Sequence, residues 1–76
     1  MDITEFSNIG SKIRKERRSR GLSQLELSRQ LNISASYLNL IESGRRSITV
    51  PLLIKIGSEL GISLKDLTVE SNKRLL

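Results

Sequence analysis

The chain has 76 residues, with 13 Lys and Arg against 8 Asp and Glu, a net charge of +5, and neither Cys nor His. That length fits one small domain, which buries only about 60% of the surface its unfolded chain exposes and is modestly stable. The composition excludes disulfides and thiolate metal sites and removes the commonest general base, and no carboxylate pair is clustered, so neither an enzyme nor a bound cofactor or metal is expected.

Helix 1 is predicted from about Glu5 to Arg20. Phe6, Ile9 and Ile13 form the i, i+3, i+7 stripe of one buried face, and Arg17 continues it. Gly21 suits the left-handed position that ends a helix. Ser23 and Glu26 form a capping box that opens helix 2, whose inward residues are Leu27 and Leu31 with the small Ser28 between them. Asn32, which tolerates a left-handed backbone, and Ile33 make the turn. Ser34 caps helix 3, which runs to about Ser43, and Gly44 stops it.

Thr49 caps helix 4, with Pro51 in its first turn, where a missing N–H does no harm. Leu53, Ile54, Ile56 and Leu60 follow, Gly57 permits a close helix approach, and Gly61 ends the element. Ser63 and Asp66 repeat the cap before a short last helix holding Leu64 and Leu67. From about Thr68 to Leu76 no pattern is visible. The β-branched residues do not alternate and no hairpin signal occurs, so the expected class is all-α. No apolar run approaches the ~20 residues that cross a bilayer. Met1-Asp2-Ile3-Thr4-Glu5 lacks the basic and apolar regions of a signal peptide, so a cytoplasmic protein is the expectation.

Gln24 to Ser43 carry the spacing of a helix-turn-helix. With Gln24 as the first position, Leu27, Leu31, Ile33, Leu38 and Ile41 are the apolar positions that bury one face of two short helices. The outer face of the second helix is left free to enter a major groove of DNA. Ala35, Ser36 and Asn39 point outward near its N-terminal half. Asn39 can pair bidentately with adenine, Ser36 with several bases, and the Ala35 methyl can touch a thymine methyl. Taken singly, Asn39 and Ser36 would more often be ordinary solvated residues.

Gln24, at the start of helix 2, can bind a phosphate together with free backbone N–H groups, and the Ser34 hydroxyl is a further phosphate candidate. Tyr37 either donates its hydroxyl to a phosphate or packs its ring over helix 2. Arg45 and Arg46 follow helix 3 and can hold the DNA backbone beside the groove. Lys12, Arg14, Lys15, Arg17, Arg18 and Arg20 lie within nine residues, opposed there only by Glu16. By itself such a run is a solvated helix face; beside the motif it adds long-range attraction for a polyanion.

The run Gly21-Leu22-Ser23-Gln24, with Leu27, Leu31, Ile33-Ser34, Tyr37-Leu38, Ile41-Glu42, Gly44 and Leu60-Gly61-Ile62-Ser63, resembles the XRE (Cro/C1-type) helix-turn-helix family. The resemblance covers about residues 6–67. It implies the compact five-helix lambda-repressor-like fold and a sequence-specific DNA-binding transcription regulator that acts as a dimer on near-palindromic operators. It implies that Gln24 is a phosphate-binding glutamine and that Ala35, Ser36 and Asn39 read bases. It also implies that Arg17 and Glu42 form a structural ion pair linking helix 1 to the end of helix 3.

The chain departs from the family pattern at Ser28, where Ala is usual, and at Asn32, where Gly is usual. Leu25, Leu40 and Leu52 stand at positions that are usually polar. Leu52, Val69, Leu75 and Leu76 lie on or after helix 4, where family members often dimerise, and mark a candidate homodimer interface. The run Tyr37 to Glu42 also resembles longer regulators that add a ligand-sensing domain.

The expected organisation is a helix-turn-helix domain over residues 1–67, with the motif at 24–43, and a tail over 68–76 that serves as a dimerisation arm or linker stub. The leading functional expectation is a repressor or small controller that occludes a promoter or contacts RNA polymerase beside it. The alternative is an antitoxin or adaptor that uses the same fold, with its leucines, to bind a protein. A membrane-surface helix is disfavoured because Phe6, Ile9 and Ile13 are needed for the core.

Overall fold

A computed structural model describes the backbone of residues 2–68 and the side chains of residues 9–67. Among the described residues the elements are α1 (Asp2–Ser19), α2 (Gln24–Leu31), α3 (Ala35–Glu42), α4 (Val50–Leu60) and α5 (Leu64–Thr68), with no strand. The all-α, five-helix class follows. No described helix is long and apolar enough to cross a membrane.

Local chemistry fixes the starts. The Ser23 hydroxyl accepts from the Glu26 N–H at 3.0 Å, and the Glu26 carboxylate accepts from the Ser23 N–H at 2.8 Å, completing the capping box. The backbone hydrogen bond from Ser23, with that from its side chain, lowers the pKa of Glu26. Ser34, Thr49 and Ser63 accept in the same way from the N–H groups of Tyr37, Leu52 and Asp66. Each such cap stabilises its helix by about 1 kcal/mol.

The ends share one device. At the close of α2, the Asn32 N–H donates to the Arg29 carbonyl and the Ile33 N–H to the Ser28 carbonyl, with Asn32 at φ 60°. This is the Schellman pattern with Asn in place of the commoner Gly. Gly21 and Leu22 close α1 likewise on the Arg18 and Arg17 carbonyls, and Gly44 and Arg45 close α3 on those of Ile41 and Leu40. Lys55 on α4 donates to the Leu31 carbonyl at 3.0 Å, placing a cation at the negative end of α2.

The core is Ile13, Leu27, Leu31, Leu38, Ile41, Leu53, Ile56, Leu60 and Leu67, with Ile9, Leu22, Ile33, Tyr37, Ile48, Leu52 and Ile62 packed around it. Each fully buried aliphatic side chain among them contributes about 1.5–3 kcal/mol. Ser28 is buried on α2, its hydroxyl turned back to the Leu25 carbonyl at 2.8 Å. Gly10 is buried where α1 crosses the end of α3, and a Cβ there would overlap the carbonyl oxygens of Ile41 and Glu42. That backbone contact brings Arg14 and Arg17 over the last turn of α3.

The structure adds detail along α4 and corrects one expectation there, the close helix approach at Gly57. Ile54, in the apolar run of helix 4, is 52% exposed. Leu52, a candidate for the dimer interface, is half-buried and packs in part against the core. The close approach at Gly57 is to the Ile62 carbonyl oxygen, 2.7 Å from a Cβ built there, so it tightens the α4–α5 joint rather than a helix crossing. The Phe6 side chain and the residues Val69, Leu75 and Leu76 lie outside the described residues.

Candidate nucleic-acid interface

The turn between α2 and α3 sets the first turn of α3 beside the start of α2. Leu38, Ile41 and Glu42 face inward and are buried. Ser36 and Asn39 are exposed and Ala35 is half-exposed, and with Gln24 and Leu40 these residues line a shallow open groove. In the sequence Leu40 stands out only as a departure from a polar position; the structure puts it on the groove wall. Its signal is the spacing itself, since Leu40 follows Ser36 by one helical turn.

Behind the groove lies a buried polar node. The Arg17 guanidinium donates from Nε to Glu42 Oε2 at 2.8 Å and from Nη2 to Glu42 Oε1 at 3.0 Å. Its remaining Nη1 donates to the Leu22 carbonyl at 2.8 Å. Gln24 Nε2 donates to Glu42 Oε1 at 3.0 Å, and Arg14 Nε stands 3.5 Å from the same oxygen. Asn39 Nδ2 in turn donates to Gln24 Oε1 at 3.4 Å. Arg17 is 6% exposed and Glu42 2%, so this bidentate pair is shielded from solvent and salt. Burial pushes the Glu42 carboxyl up, but hydrogen bonds from Arg17 and Gln24, the Arg17 charge and the nearby Arg14 together outweigh it and hold the group below its ordinary value.

Cations follow α3. Arg45 and Arg46 are exposed just past α3. The Arg46 guanidinium lies over the half-buried Tyr37 ring at 5.9 Å, a cation–π contact that holds this arginine beside the helix. The Tyr37 ring also packs against the core. The Ser34 Oγ is engaged as the cap acceptor for the Tyr37 N–H at 3.0 Å, which leaves its hydroxyl proton to donate outward.

A groove lined by small and amide side chains on the outward face of a helix packed against the core, with exposed cations just past that helix, is the geometry of a helix-turn-helix that meets a duplex. A family model for helix-turn-helix proteins, HTH_3, matches residues 13–67. The chain belongs to the HTH_3 helix-turn-helix family. It is a DNA-binding domain of the type carried by transcription regulators.

Over 67 residues this HTH_3 chain is 36% identical to the HTH-type transcriptional regulator PrpR of Mycobacterium tuberculosis, covering 88% of this chain and 14% of that regulator's length. It is 35% identical over 68 residues to the control protein C.MunI of a Mycoplasma species, covering 90% of this chain and 89% of that protein. The crystal structure of the restriction-modification controller protein C.AhdI from Aeromonas hydrophila superposes with a TM-score of 0.79 at 26% identity, over 86% of this chain and 94% of that one.

The structure therefore gathers Gln24, Ala35, Ser36 and Asn39 at one groove and sets Ser34, Tyr37, Arg45 and Arg46 around α3. It puts Arg17 and Glu42 beneath as a pair. Two members of the node, Arg14 and Gln24, have no local sequence signal for it, because their partner Glu42 lies far along the chain. The large aliphatic residues that α4 exposes are Val50 and Ile54, at 65% and 52%, one helical turn apart.

Proposed function

We propose that this domain is a sequence-specific binder of double-stranded DNA that regulates transcription as a homodimer on a near-palindromic operator. Ala35, Ser36 and Asn39 contact bases, while Gln24, Ser34, Tyr37, Arg45 and Arg46 contact phosphates. The observation that carries this reading is the groove formed by Gln24, Ala35, Ser36, Asn39 and Leu40, backed by the buried Arg17–Glu42 pair.

Its two apolar walls, Ala35 and Leu40, suit the C5-methyl group of thymine, and Asn39 suits adenine. Two subunits set their α3 helices in successive major grooves about 34 Å apart. Bound over a promoter, the dimer blocks RNA polymerase; bound beside one, it contacts the polymerase. The likeness to control proteins of restriction-modification systems, in which this chain covers most of the relative, supports a small controller. Val50 and Ile54 on α4 supply apolar surface for the dimer contact.

A gel-shift series at rising salt tests the reading. Affinity is expected to fall steeply, because each neutralised phosphate contributes a slope of about −0.9 in log K against log salt. A salt-independent shift, or equal affinity for any random duplex, contradicts it.

A further inference from the structure

Asn39 carries a carboxamide, which offers a donor on one side and an acceptor on the other. Which side faces the DNA decides which base it takes, and an isolated asparagine turns over freely. In this domain the choice is made from behind. An ionised carboxylate has acceptors only. Glu42 is such a group, fixed by two hydrogen bonds from Arg17 and with Arg14 beside it. The atom that Gln24 turns toward Glu42 must therefore be its donor nitrogen, which lies 3.0 Å away. The Gln24 oxygen then faces the other way, toward Asn39. An amide oxygen accepts only, so Asn39 must meet it with Nδ2, which lies at 3.4 Å.

The polarity of the chain runs one way, from the surface amide through Gln24 to the buried charge. One N–H of Asn39 is engaged, which leaves one N–H and the carbonyl oxygen for the groove. A single donor next to a single acceptor matches adenine, whose major-groove edge presents N7 as acceptor and N6–H as donor. Guanine presents two acceptors, O6 and N7, and needs both N–H groups of an amide.

We infer that Glu42, acting through Gln24, orients the Asn39 carboxamide and so selects adenine over guanine at the base pair that Asn39 meets. Glu42 and Gln24 are positioning residues in this respect, and Gln24 has a second role beside any phosphate contact. The inference rests on the DNA-reading function proposed above. The low-lying ionisation of Glu42 supports it, since the carboxylate keeps its acceptor-only character through the neutral range.

The experiment compares wild type with Gln24→Ala and with Gln24→Met, which keeps the bulk of the side chain. Asn39→Ala first identifies the base pair concerned, as the position whose preference it flattens. Each protein is then titrated with duplexes carrying adenine or guanine at that position. The ratio of affinities is expected to fall about tenfold in both Gln24 variants, the lower part of the discrimination that a bidentate base contact supplies. Loss of a phosphate contact weakens binding to both duplexes equally, so it leaves the ratio untouched. Uniform weakening with an unchanged ratio overturns the inference and leaves the DNA-reading function standing. A wild type with no preference for any duplex removes both.

A second measurement uses the free wild-type protein. In its NMR spectra the side-chain amide protons of Gln24 are expected to show nuclear Overhauser contacts to the Glu42 side chain. Contacts from those protons to Asn39 instead would mean the reverse polarity, and would overturn the inference without reference to DNA.

Discussion

Helices α3 and α4 each bury an apolar stripe, Leu38 and Ile41 in the first and Leu53, Ile56 and Leu60 in the second, and each opens on a side-chain cap. Their outward faces differ. That of α3 is small and amide-rich, with Ala35, Ser36 and Asn39, and a buried ion pair stands behind it. That of α4 carries Val50 and Ile54, two exposed branched aliphatics separated in sequence only by the apolar Pro51, Leu52 and Leu53. Both helices give buried aliphatics to the one core, so inward packing does not dictate the outward chemistry. A polar face with a positioned amide suits a partner that offers hydrogen-bonding edges. An exposed aliphatic pair suits a partner that offers apolar surface, such as a second copy of the chain.

The largest expected effect comes from removing what α3 has and α4 lacks. Glu42→Ala leaves the buried Arg17 guanidinium unpaired and is expected to cost roughly 3–5 kcal/mol of stability, read as a lowered denaturant midpoint. A loss within experimental error would show that the node is ornamental and that α3 is held, like α4, by its apolar stripe alone.

Acid probes the same node. The Glu42 carboxyl has a folded pKa below its unfolded value, since hydrogen bonds from Arg17 and Gln24 and the cationic neighbours outweigh the opposing effect of burial. A depressed carboxyl pKa contributes stability above the unfolded value and loses it as pH falls through the folded one. Stability is therefore expected to hold from neutrality down to the ordinary carboxylate range and to decline below it, and the decline should be shallower in Glu42→Gln. Equal slopes in chemical denaturation at stepped pH would assign the acid sensitivity to groups other than Glu42.

Asn39→Ala separates reading from folding. It is expected to reduce discrimination at one base pair per half-site by about 1–3 kcal/mol, with thermal stability little changed because Asn39 is exposed. Binding competition between operator variants measures the first and a melting curve the second. Arg46→Ala acts on affinity without selectivity: the salt slope should fall by about 1, with base preferences kept. The smallest effect on the fold is expected at the other face. Ile54→Lys should change stability by no more than about 0.5 kcal/mol, as exposed substitutions do, yet abolish self-association in sedimentation. An unchanged sedimentation profile would assign the dimer contact elsewhere.

Local rules make most of the fold legible. Ser23–Glu26, Ser34, Thr49 and Ser63 announce four starts, and Gly21, Asn32, Gly44 and Gly61 announce the stops, because caps are short-range chemistry. The helix-turn-helix spacing by itself places Ala35, Ser36 and Asn39 together on one outward face. What stays hidden in the sequence is long-range or without contrast. The union of Arg14, Gln24 and Glu42 depends on α1 crossing α3 at Gly10, a contact between distant parts of the chain. On α4, Val50, Leu52, Leu53, Ile54 and Ile56 are all aliphatic, so no hydrophobic period separates inside from outside. Only the packed helix tells the exposed Ile54 from the half-buried Leu52.

Selection of bound duplexes from a random pool tests the central claim, that the outward face of α3 reads bases as part of a dimer. The expected result is a single enriched site made of two inverted half-sites with centres one helical turn apart, about 34 Å, and a change at one position of each half-site when the selection is repeated with Asn39→Ala. Recovery of unenriched sequence, or of a site that Asn39→Ala leaves unaltered, would contradict it.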